Sequence, residues 1–591
     1  MLSSVDRDST GSAPQPYPSH AVWGGLYRAA ALLLIFLTAA GVAVAGSKLS
    51  GDLQQAGGNG SIDVIVQFQR IPTDADVQAF PSAQVHRRFR HVRALNVSLT
   101  PAQIQAAVNN SLVTYISRNR AVSANLDVTT ETVGANSAWQ AGWNGAGIGV
   151  AVIDSGIYQH DDLANSNGRG SRIVYSQSFV PGMNGTDVYG HGTHVAGIIG
   201  SNGADSTGPG FTRTFMGMAP DVNLINLQVL DQNGSGTDSN VIAAIDQAIA
   251  LKGTYNIKVI NLSLGRPVYE SYTVDPLCQA VESAWSNGIV VVVAAGNYGR
   301  NAAGGLPLYG TIAAPGNDPY VITVGATNTH GSTNISGDTI ASYSSDGPTA
   351  IDHIAKPDLV APGNNIVSLM AANNTIAQTY PSTLTPNSYY ESGKPYGTSA
   401  KYFCLSGTSM AAAVVSGAAA LMIQKNPSLT PDQVKARLLK TAYKTFSLYS
   451  GAQDLVHGWL YNNISDLFTI GAGQVNVAAA LSNQDLVSAA AISPMAIINP
   501  LTGQVTLEFA SNIVWGSNIV WGTNIVWGSN IVWGTNIVWG TAVITGNSIL
   551  GYPIPWAGAG AAWVSPTNIV WGTSTLPVSD IAAFAADDGD Q

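Results

Sequence analysis

Residues 288–299 read GIVVVVAAGNYG, an apolar run that ends in Gly-Asn. Similar runs occur at 149–154 (GVAVID), 223–230 (NLINLQVL) and 259–261 (VIN), and helix-forming segments such as 239–251 separate them. Because these runs lack regular polar alternation, both faces of each strand should be covered, which is typical of a parallel sheet with helices on each side. The sequence therefore predicts an α/β fold.

A second segment, residues 405–417, reads LSGTSMAAAVVSG. From Met410 onward it is apolar all round, which indicates a helix buried inside a domain. Ser409 at its start has two interpretations. It can cap the first helical turn, or it can be a nucleophile beside the positive end of the helix dipole. The second interpretation requires a base and an orienting acid elsewhere in the chain.

Candidates for the base and the orienting acid occur in two other segments. The carboxyl ends of the strands, where α/β sheets bind their ligands, are the first place to look. Asp154 ends the GVAVID strand, and residues 190–200 (GHGTHVAGIIG) carry His191 and His194. A His-x-x-His spacing can also indicate metal ligation, but no acidic or thiol ligand accompanies it in this segment. One catalytic histidine is the better interpretation.

Asn297 follows the buried strand at 288–295. Alone, an Asn or Asp at a strand end indicates only a turn. Together, however, Asn297, Asp154, His191 and Ser409 supply every role of an acyl-transfer site. Ser409 is the nucleophile and His191 the general base, while Asp154 orients the base and the Asn297 amide donates to the oxyanion.

One competing motif concerns cofactor binding. Gly145, Gly147 and Gly149 superficially suggest a dinucleotide fingerprint. That fingerprint follows a strand and opens a helix, whereas these glycines lead into a strand. The dinucleotide interpretation is therefore rejected.

Five segments, VAVIDSG, GHGTHVAG, NLSLG, AAGN and GTSMA, occur in that order. In sequence and order they resemble the subtilisin family of serine proteases. The resemblance implies a three-layer α/β fold with a mainly parallel central sheet. It also implies a secreted serine endopeptidase that acts on proteins or peptides and is made as a self-processing precursor.

The resemblance also implies a role for individual residues. Asp154 orients His191, which takes the proton of Ser409, and Asn297 and the Ser409 N–H hold the oxyanion. His194 faces the helix packing. Two backbone edges that bind an extended peptide and one pocket wall are formed by Gly234, Ser235 and Gly236; Ser263, Leu264 and Gly265; and Ala294, Ala295 and Gly296. The small wall residues predict a preference for large apolar side chains.

Three features depart from the family pattern. Ala413 stands where the family usually has proline, and residues 368–402 form a polar, Tyr-rich insertion, expected to be a hairpin or lid at the cleft. Catalysis itself requires no cofactor. A structural calcium ion stays open, because Asp162 matches a family calcium ligand while the loop at 201–215 does not match its partner loop.

Composition and charge limit the partners. Charged residues make up 10% of the 591 residues and the formal net charge is −10, so nothing suggests a nucleic-acid partner. Residues 61–125 carry a net charge of +4 and residues 126–591 a net charge of −14. The first segment has a strand-helix-strand-strand-helix-strand pattern, typical of a ferredoxin-like unit. By the resemblance, it is the propeptide and intramolecular inhibitor of a catalytic domain at 126–482.

The N-terminal region carries an apolar run, AAALLLIFLTAAGVAVAG, after Arg28. It predicts a signal peptide at 1–45, followed by a linker at 46–60, and so a secreted or cell-surface protein. An uncleaved anchor is the alternative. The chain has two cysteines, Cys278 and Cys404, and whether they pair stays open.

The C-terminal region, residues 483–591, contains five NIVWG hexapeptides at 511–540 and a sixth copy at 567–572. An even period places every Trp on one face of an extended chain. Such a face can pack as a small β-module or contact polysaccharide, a cell surface or its own copies. A rival hypothesis is a non-catalytic adhesion protein with a protease-like scaffold, against which the complete set of catalytic residue types argues.

Overall fold

The computed structural model describes most of the chain between residues 60 and 508. The described residues are 48–49, 53, 60–88, 93–118, 126–165, 168, 170–301, 305–453, 459–498, 504–508, 544–545, 548–549, 552–553 and 569–570. The predicted signal peptide or anchor and the five repeats at 511–540 lie outside them. No helix in the described part of the chain has the length and apolar character needed to cross a bilayer.

The chain divides into two compact units, Met1–Val122 and Ser123–Gln591. The elements of the first unit are β1 (Ile62–Phe68), α1 (Asp74–Gln78), β2 (Gln84–Arg88), β3 (Ala94–Leu99), α2 (Pro101–Val108) and β4 (Val113–Arg118). Its four strands form an antiparallel sheet in the order β2-β3-β1-β4. This succession of elements agrees with the pattern seen in the sequence, a ferredoxin-like arrangement.

Local sequence explains both the sheet and the second helix of this unit. Val64 and Val66 on β1 are buried together with Leu95 on β3, as the alternating pattern of these strands predicts. Helix α2 begins after Thr100, which forms a capping box with Gln103: the Gln103 Oε1 accepts from the Thr100 N–H at 2.9 Å. The unit therefore has a core of its own.

The second unit contains the remaining elements. Its strands are β5 (Gly149–Asp154), β6 (Ile173–Ser178), β7 (Asn223–Gln228), β8 (Ser235–Gly236), β9 (Ile257–Leu262), β10 (Val290–Ala294), β11 (Ile322–Asn328), β12 (Thr339–Ile340), β13 (Leu359–Pro362), β14 (Ile366–Leu369), β15 (Leu384–Pro386), β16 (Thr398–Leu405), β17 (Tyr449–Gln453), β18 (Leu460–Ile464), β19 (Met495–Ile498), β20 (Gln504–Glu508), β21 (Ile544–Thr545), β22 (Ser548–Ile549), β23 (Tyr552–Pro553) and β24 (Ile569–Val570). Its helices are α3 (Leu126–Thr132), α4 (Ala135–Gln140), α5 (His191–Gly200), α6 (Asp238–Tyr255), α7 (Pro276–Ser286), α8 (Thr375–Thr379), α9 (Asn387–Tyr390), α10 (Thr408–Lys425), α11 (Pro431–Thr441), α12 (Leu467–Ile470) and α13 (Val477–Ser482).

An eight-stranded sheet forms the centre of this unit, with strands in the order β12-β11-β10-β9-β5-β7-β6 and β13 added to β11. All neighbours pair in parallel except β11 and β12. Strands β5 and β10 are buried along their whole length, so helices and loops cover both faces. The α/β fold predicted from the apolar runs is confirmed.

Helix α10 is the buried helix that the sequence predicted. Every residue from Thr408 to Ile423 is buried, and the helix packs on β9, β10, β11 and α5. Gly417 lets α10 pack directly against Met218, because a Cβ at position 417 would lie only 2.3 Å from the Met218 Cβ. A helix with no polar face is stable here because neighbouring elements surround it completely.

The inserted segment 368–402 does not form a simple hairpin or lid. It contributes α8, β15, α9 and most of β16, and the strands β14, β16 and β15 form a three-stranded antiparallel sheet in that order. This sheet packs against the loop at 201–215. The Phe215 and Tyr402 rings lie 4.7 Å apart, and the Thr212 N–H donates to the Tyr390 carbonyl at 2.8 Å. The two segments that depart from the family pattern thus contact each other.

The chain after residue 482 continues to pack on the second unit. The Ser493 Oγ donates to Asp358 and accepts from the Lys435 ammonium, and the Ala355 N–H donates to the Pro494 carbonyl. Residues 485–498, assigned to the C-terminal region by sequence, therefore support the same fold.

Both cysteines are free thiols. The Cys278 Sγ donates to the Asn317 Oδ1 at 3.3 Å, and Cys404 lies on β16. Burial raises the pKa of Cys404 to about 12, so its thiol stays protonated and unreactive. The alternative of a Cys278–Cys404 disulfide is not realised in the structure.

Candidate active site

Two elements bring an aspartate and a histidine together. Asp154 is the last residue of β5, and His191 is the first residue of α5. The His191 Nδ1 lies 3.0 Å from Oδ1 and 3.1 Å from Oδ2 of the fully buried Asp154 carboxylate. A carboxylate only accepts hydrogen bonds, so the proton of a neutral His191 is on Nδ1. The Nε2 atom is then the basic nitrogen.

Asp187 holds the start of α5 in place. Its buried carboxylate accepts four hydrogen bonds, from the Gly190 N–H at 2.7 Å, the Ser155 Oγ at 2.9 Å, and the N–H and Oγ1 of Thr193 at 2.8 and 2.6 Å. Ser155 follows Asp154 directly, so this network links both partners of the Asp154–His191 pair. Burial raises the pKa of Asp187 to about 6.

Sequence reasoning missed Asp187. Asp187 lies three residues before Gly190, the N-cap of α5, whereas a capping side chain normally belongs to the N-cap residue itself. An acidic residue shortly before a helix indicates at most a favourable interaction with the helix dipole. The link to Ser155 requires β5 and α5 to be packed together.

The second histidine of the pair is part of the core, as predicted. The His194 Nε2 lies 2.9 Å from the Ile366 carbonyl, and its ring meets Phe403 edge-on at 5.1 Å. Burial lowers the pKa of His194 to about 3, so the ring is neutral and donates to this carbonyl. It is separate from the one cluster with metal-ligand geometry among the described residues, His160, Asp162 and Asp205.

Ser409 is the second residue of α10 and is almost completely buried. Its Oγ donates to the Ser263 carbonyl at 3.2 Å, and the Ser263 Oγ donates to the Ser409 carbonyl at 2.8 Å. Helix α10 packs on α5, so the helices that begin with Ser409 and His191 in their first turns are neighbours. The first turn of α10 is thereby attached to the predicted substrate edge.

Asn297 lies beside the same helix start. Its Oδ1 accepts from both the N–H and the Oγ1 of Thr408 at 2.9 Å. A backbone N–H can only donate, so the atom facing Thr408 must be the oxygen of the amide. The Nδ2 atom is consequently directed away from Thr408. The Gly296 N–H donates to the Thr408 Oγ1 at 3.2 Å, which adds a second link to α10.

A recess in front of α10 collects most of the predicted site residues. Its empty volume is about 250 Å³, open solvent at its mouth included, and its lining is Ser263, Leu264, Gly265, Ala294, Gly296, Asn297, Tyr298, Ala313, Thr408 and Ser409. Tyr298, Ala313 and Thr408 were not identified from the sequence as site residues. Ala313 reaches the recess from a distant loop, which no local pattern reveals. No charged side chain is among these lining residues.

Ala295 and the segment 234–236, both predicted to bind substrate, are not part of the lining of the recess. Ala295 is fully buried, and its backbone pairs with Val324 and Ala313, so it stands behind the recess. Gly234 precedes β8, which pairs in antiparallel fashion with β24, part of the sixth hexapeptide copy. The strand edge at 234–236 therefore accepts an extended peptide segment of this chain.

The parallel sheet, the Asp–His pair and the serine beside an oriented amide are the features of a serine peptidase. Residues 145–473 match the subtilase family. Serine protease AprX of Bacillus subtilis (strain 168) is 38% identical over 369 residues, which cover 60% of this chain and 75% of AprX. Subtilisin DY of Bacillus licheniformis is 35% identical over 342 residues, which cover 57% of this chain and 92% of subtilisin DY.

The chain therefore belongs to the subtilase family. It is a subtilisin-like serine protease and hydrolyses peptide bonds in protein substrates. The resemblance seen in the five ordered motifs is confirmed.

Proposed function

We propose that this protein is a secreted, self-processing endopeptidase whose catalytic groups are Asp154, His191, Ser409 and Asn297. The observation that carries the proposal is the Asp154–His191 pair at 3.0 Å, on elements packed beside a recess that Ser409 and Asn297 line together. Each group has the chemistry that its role requires.

The reaction begins when the Ser409 Oγ attacks the scissile carbonyl carbon and its proton passes to the His191 Nε2. Asp154 holds the Nδ1–H and stabilises the imidazolium ion that forms. The Asn297 Nδ2 and the Ser409 N–H donate to the oxyanion of the tetrahedral intermediate.

Collapse of this intermediate breaks the peptide C–N bond, and the His191 Nε2 gives its proton to the leaving amine. Water, deprotonated by the same nitrogen, then hydrolyses the acyl-serine ester and restores Ser409. No step needs a metal ion or an organic cofactor.

Substrate preference follows from the recess. Its walls include Gly265, Ala294, Gly296 and Ala313, and Tyr298 adds an aromatic surface. Small, uncharged walls leave room for a large apolar side chain of the substrate, whereas a charged side chain would lose its hydration without gaining a partner. We expect cleavage after large apolar or aromatic residues, with the peptide extended along 263–265 and, once β24 has left that edge, along 234–236.

Processing and export complete the proposal. Residues 61–125 act as the propeptide and intramolecular inhibitor, and their net charge of +4, opposite in sign to the −14 of residues 126–591, supports this assignment. The apolar run after Arg28 directs secretion. The tryptophans of the NIVWG copies at 511–540 bind a cell surface or polysaccharide.

The test is incubation of the purified protein with casein, with and without a serine-directed phosphonate. We expect cleavage that the phosphonate stops, and no cleavage or maturation by Ser409→Ala. Ser416→Ala is the matched control, since Ser416 lies on the same helix and is buried, but bonds to Asn261. A Ser409→Ala protein that still cleaves casein would refute the assignment, and an inactive parent would favour the adhesion-scaffold alternative.

A further inference from the structure

The cluster with metal-ligand geometry contacts Lys401 and Tyr402 at the end of the inserted segment, and none of its residues lines the recess. Ligand atoms of His160, Asp162 and Asp205 all lie within 4.8 Å of one another. Asp162 is also the residue that matches a calcium ligand of the subtilases. Whether a structural calcium ion fits this protein is therefore decided by the surroundings of these three residues.

The Asp162 carboxylate is already occupied by hydrogen-bond donors. Its Oδ1 accepts from the Asp205 N–H at 2.7 Å. Its Oδ2 accepts from the Tyr402 hydroxyl at 2.7 Å, and the Ser201 hydroxyl, which also donates to the Phe215 carbonyl at 2.8 Å, lies 3.1 Å away. A calcium ion needs roughly six to eight oxygen atoms with lone pairs directed at it. Here each of the two oxygens instead has a hydrogen-bond donor within 2.7 Å.

His160 is occupied in the same way. Its Nδ1 lies 3.1 Å from the Asp162 backbone N–H, which can only donate, so Nδ1 is the acceptor and carries no proton. The proton is then on Nε2, which donates to the Lys401 carbonyl at 3.1 Å. Neither ring nitrogen has a lone pair left for a metal ion. The residues at this cluster do not fit calcium.

A lysine supplies positive charge to two carboxylates here, Asp205 of the cluster and Asp161 beside it. The Lys401 Nζ lies 2.6 Å from the Asp161 Oδ2 and 3.0 Å from the Asp205 Oδ2. Lys401 belongs to β16 in the inserted segment, and Asp205 to the loop at 201–215. These are the two segments that depart from the family pattern and pack on each other. The departures thus contribute the two sides of one ion pair.

We propose that the Lys401 ammonium group takes the place of a bound cation at this cluster, so that the catalytic unit is stable without calcium there. The ammonium group donates a hydrogen bond to Asp161 and forms an ion pair with Asp205, and because it is covalently attached to the chain it cannot dissociate. Stability that depends on a bound ion falls when the free ion is removed, whereas stability from a covalently attached charge does not. The inference goes beyond the proteolytic function.

The experiment measures the unfolding temperature of the full chain in a Ser409→Ala background, which prevents self-cleavage and makes the test independent of activity. Calcium is either chelated or supplied in excess. We expect the parent to melt at the same temperature in both conditions. Lys401→Met should lower the unfolding temperature by about 1 °C, since a partly exposed ion pair contributes up to about 1 kcal/mol and the unit is large.

Lys394→Met is the matched control, because Lys394 is an exposed lysine of the same segment that pairs only with Glu391 among the ion pairs of the described residues. Lys401→Arg, which keeps the charge, should recover most of the loss if Lys401→Met folds poorly. Calcium titration by calorimetry into the parent and into Asp205→Asn completes the test. Calcium uptake by the parent that Asp205→Asn abolishes would overturn the proposal, as would a Lys401→Met protein as stable as Lys394→Met.

Discussion

Replacing Asp187 by asparagine tests whether the start of α5 must be held for catalysis. The Asp187 carboxylate accepts two backbone N–H groups and two hydroxyl groups. A hydroxyl group can turn and accept from the new amide nitrogen, but a backbone N–H cannot. The Asp187→Asn substitution therefore leaves one buried backbone N–H without an acceptor, which costs about 1–3 kcal/mol.

An opposite contribution comes from the lost charge. Burial raises the pKa of Asp187 from 3.8 to about 6, so keeping it ionised well above that pH costs roughly 3 kcal/mol at about 1.4 kcal/mol per pKa unit. Asparagine does not carry this cost. The two contributions nearly cancel, and the free energy of unfolding should change by no more than about 2 kcal/mol.

Activity should change much more than stability. Loss of a tether at Gly190 or Thr193 lets the first turn of α5 shift, and a misplacement of about 1 Å costs roughly a hundredfold in rate. We expect kcat to fall by about 10- to 100-fold with KM little changed.

The assay combines peptide hydrolysis across pH with urea unfolding. Asp221→Asn is the control, because Asp221 also accepts an amide N–H but precedes β7, at the amino end of the parallel strands, whereas Asp154 lies at the carboxyl end of β5. Unchanged kcat in a stable Asp187→Asn protein would refute the reasoning. A loss of activity that only follows the unfolded fraction would do the same.

Asn297→Ala should lower kcat by about a hundredfold to a thousandfold with little change in KM, and a loss confined to KM would indicate a binding role. N-terminal sequencing of the secreted form should find a start between residues 121 and 134, near the boundary between the two units in the chain, and a start before residue 100 contradicts the propeptide assignment. Truncation before residue 567 removes Ile569–Val570 from the strand edge at Ser235–Gly236 and should therefore lower KM for soluble peptides. Equal KM values for the full and truncated proteins would contradict this prediction. Burial lowers the pKa of Lys435 from 10.5 to about 7, so the unfolded chain binds more protons above pH 7 and this group adds stability as pH rises. Between about pH 7 and 8.5, the unfolding free energy of the parent should rise more steeply than that of Lys435→Met, by up to about 1.4 kcal/mol per pH unit, and parallel curves contradict this.

Several parts of the fold could be predicted from the sequence because they depend on local patterns. The apolar runs at 149–154 and 288–295 required a sheet covered on both faces, and the residues after Met410 required a buried helix. The residue types at strand and helix ends, Asp154 and Ser409 among them, identified the chemistry. Hydrophobic periodicity and backbone capping act over a few residues, so a short segment is enough to reveal them.

Other features depended on contacts between distant segments. Ala295 belongs to a wall motif by sequence, yet its hydrogen bonds to β11 and to Ala313 place it behind the recess. Asp187 becomes more than a helix cap only because α5 packs beside Ser155, 32 positions earlier. Lys401 meets Asp161 across 240 positions, and in the sequence both are ordinary charged residues. Such pairings are set by how the sheet and the inserted segment pack, and only the tertiary structure decides which charges and hydrogen-bond donors meet.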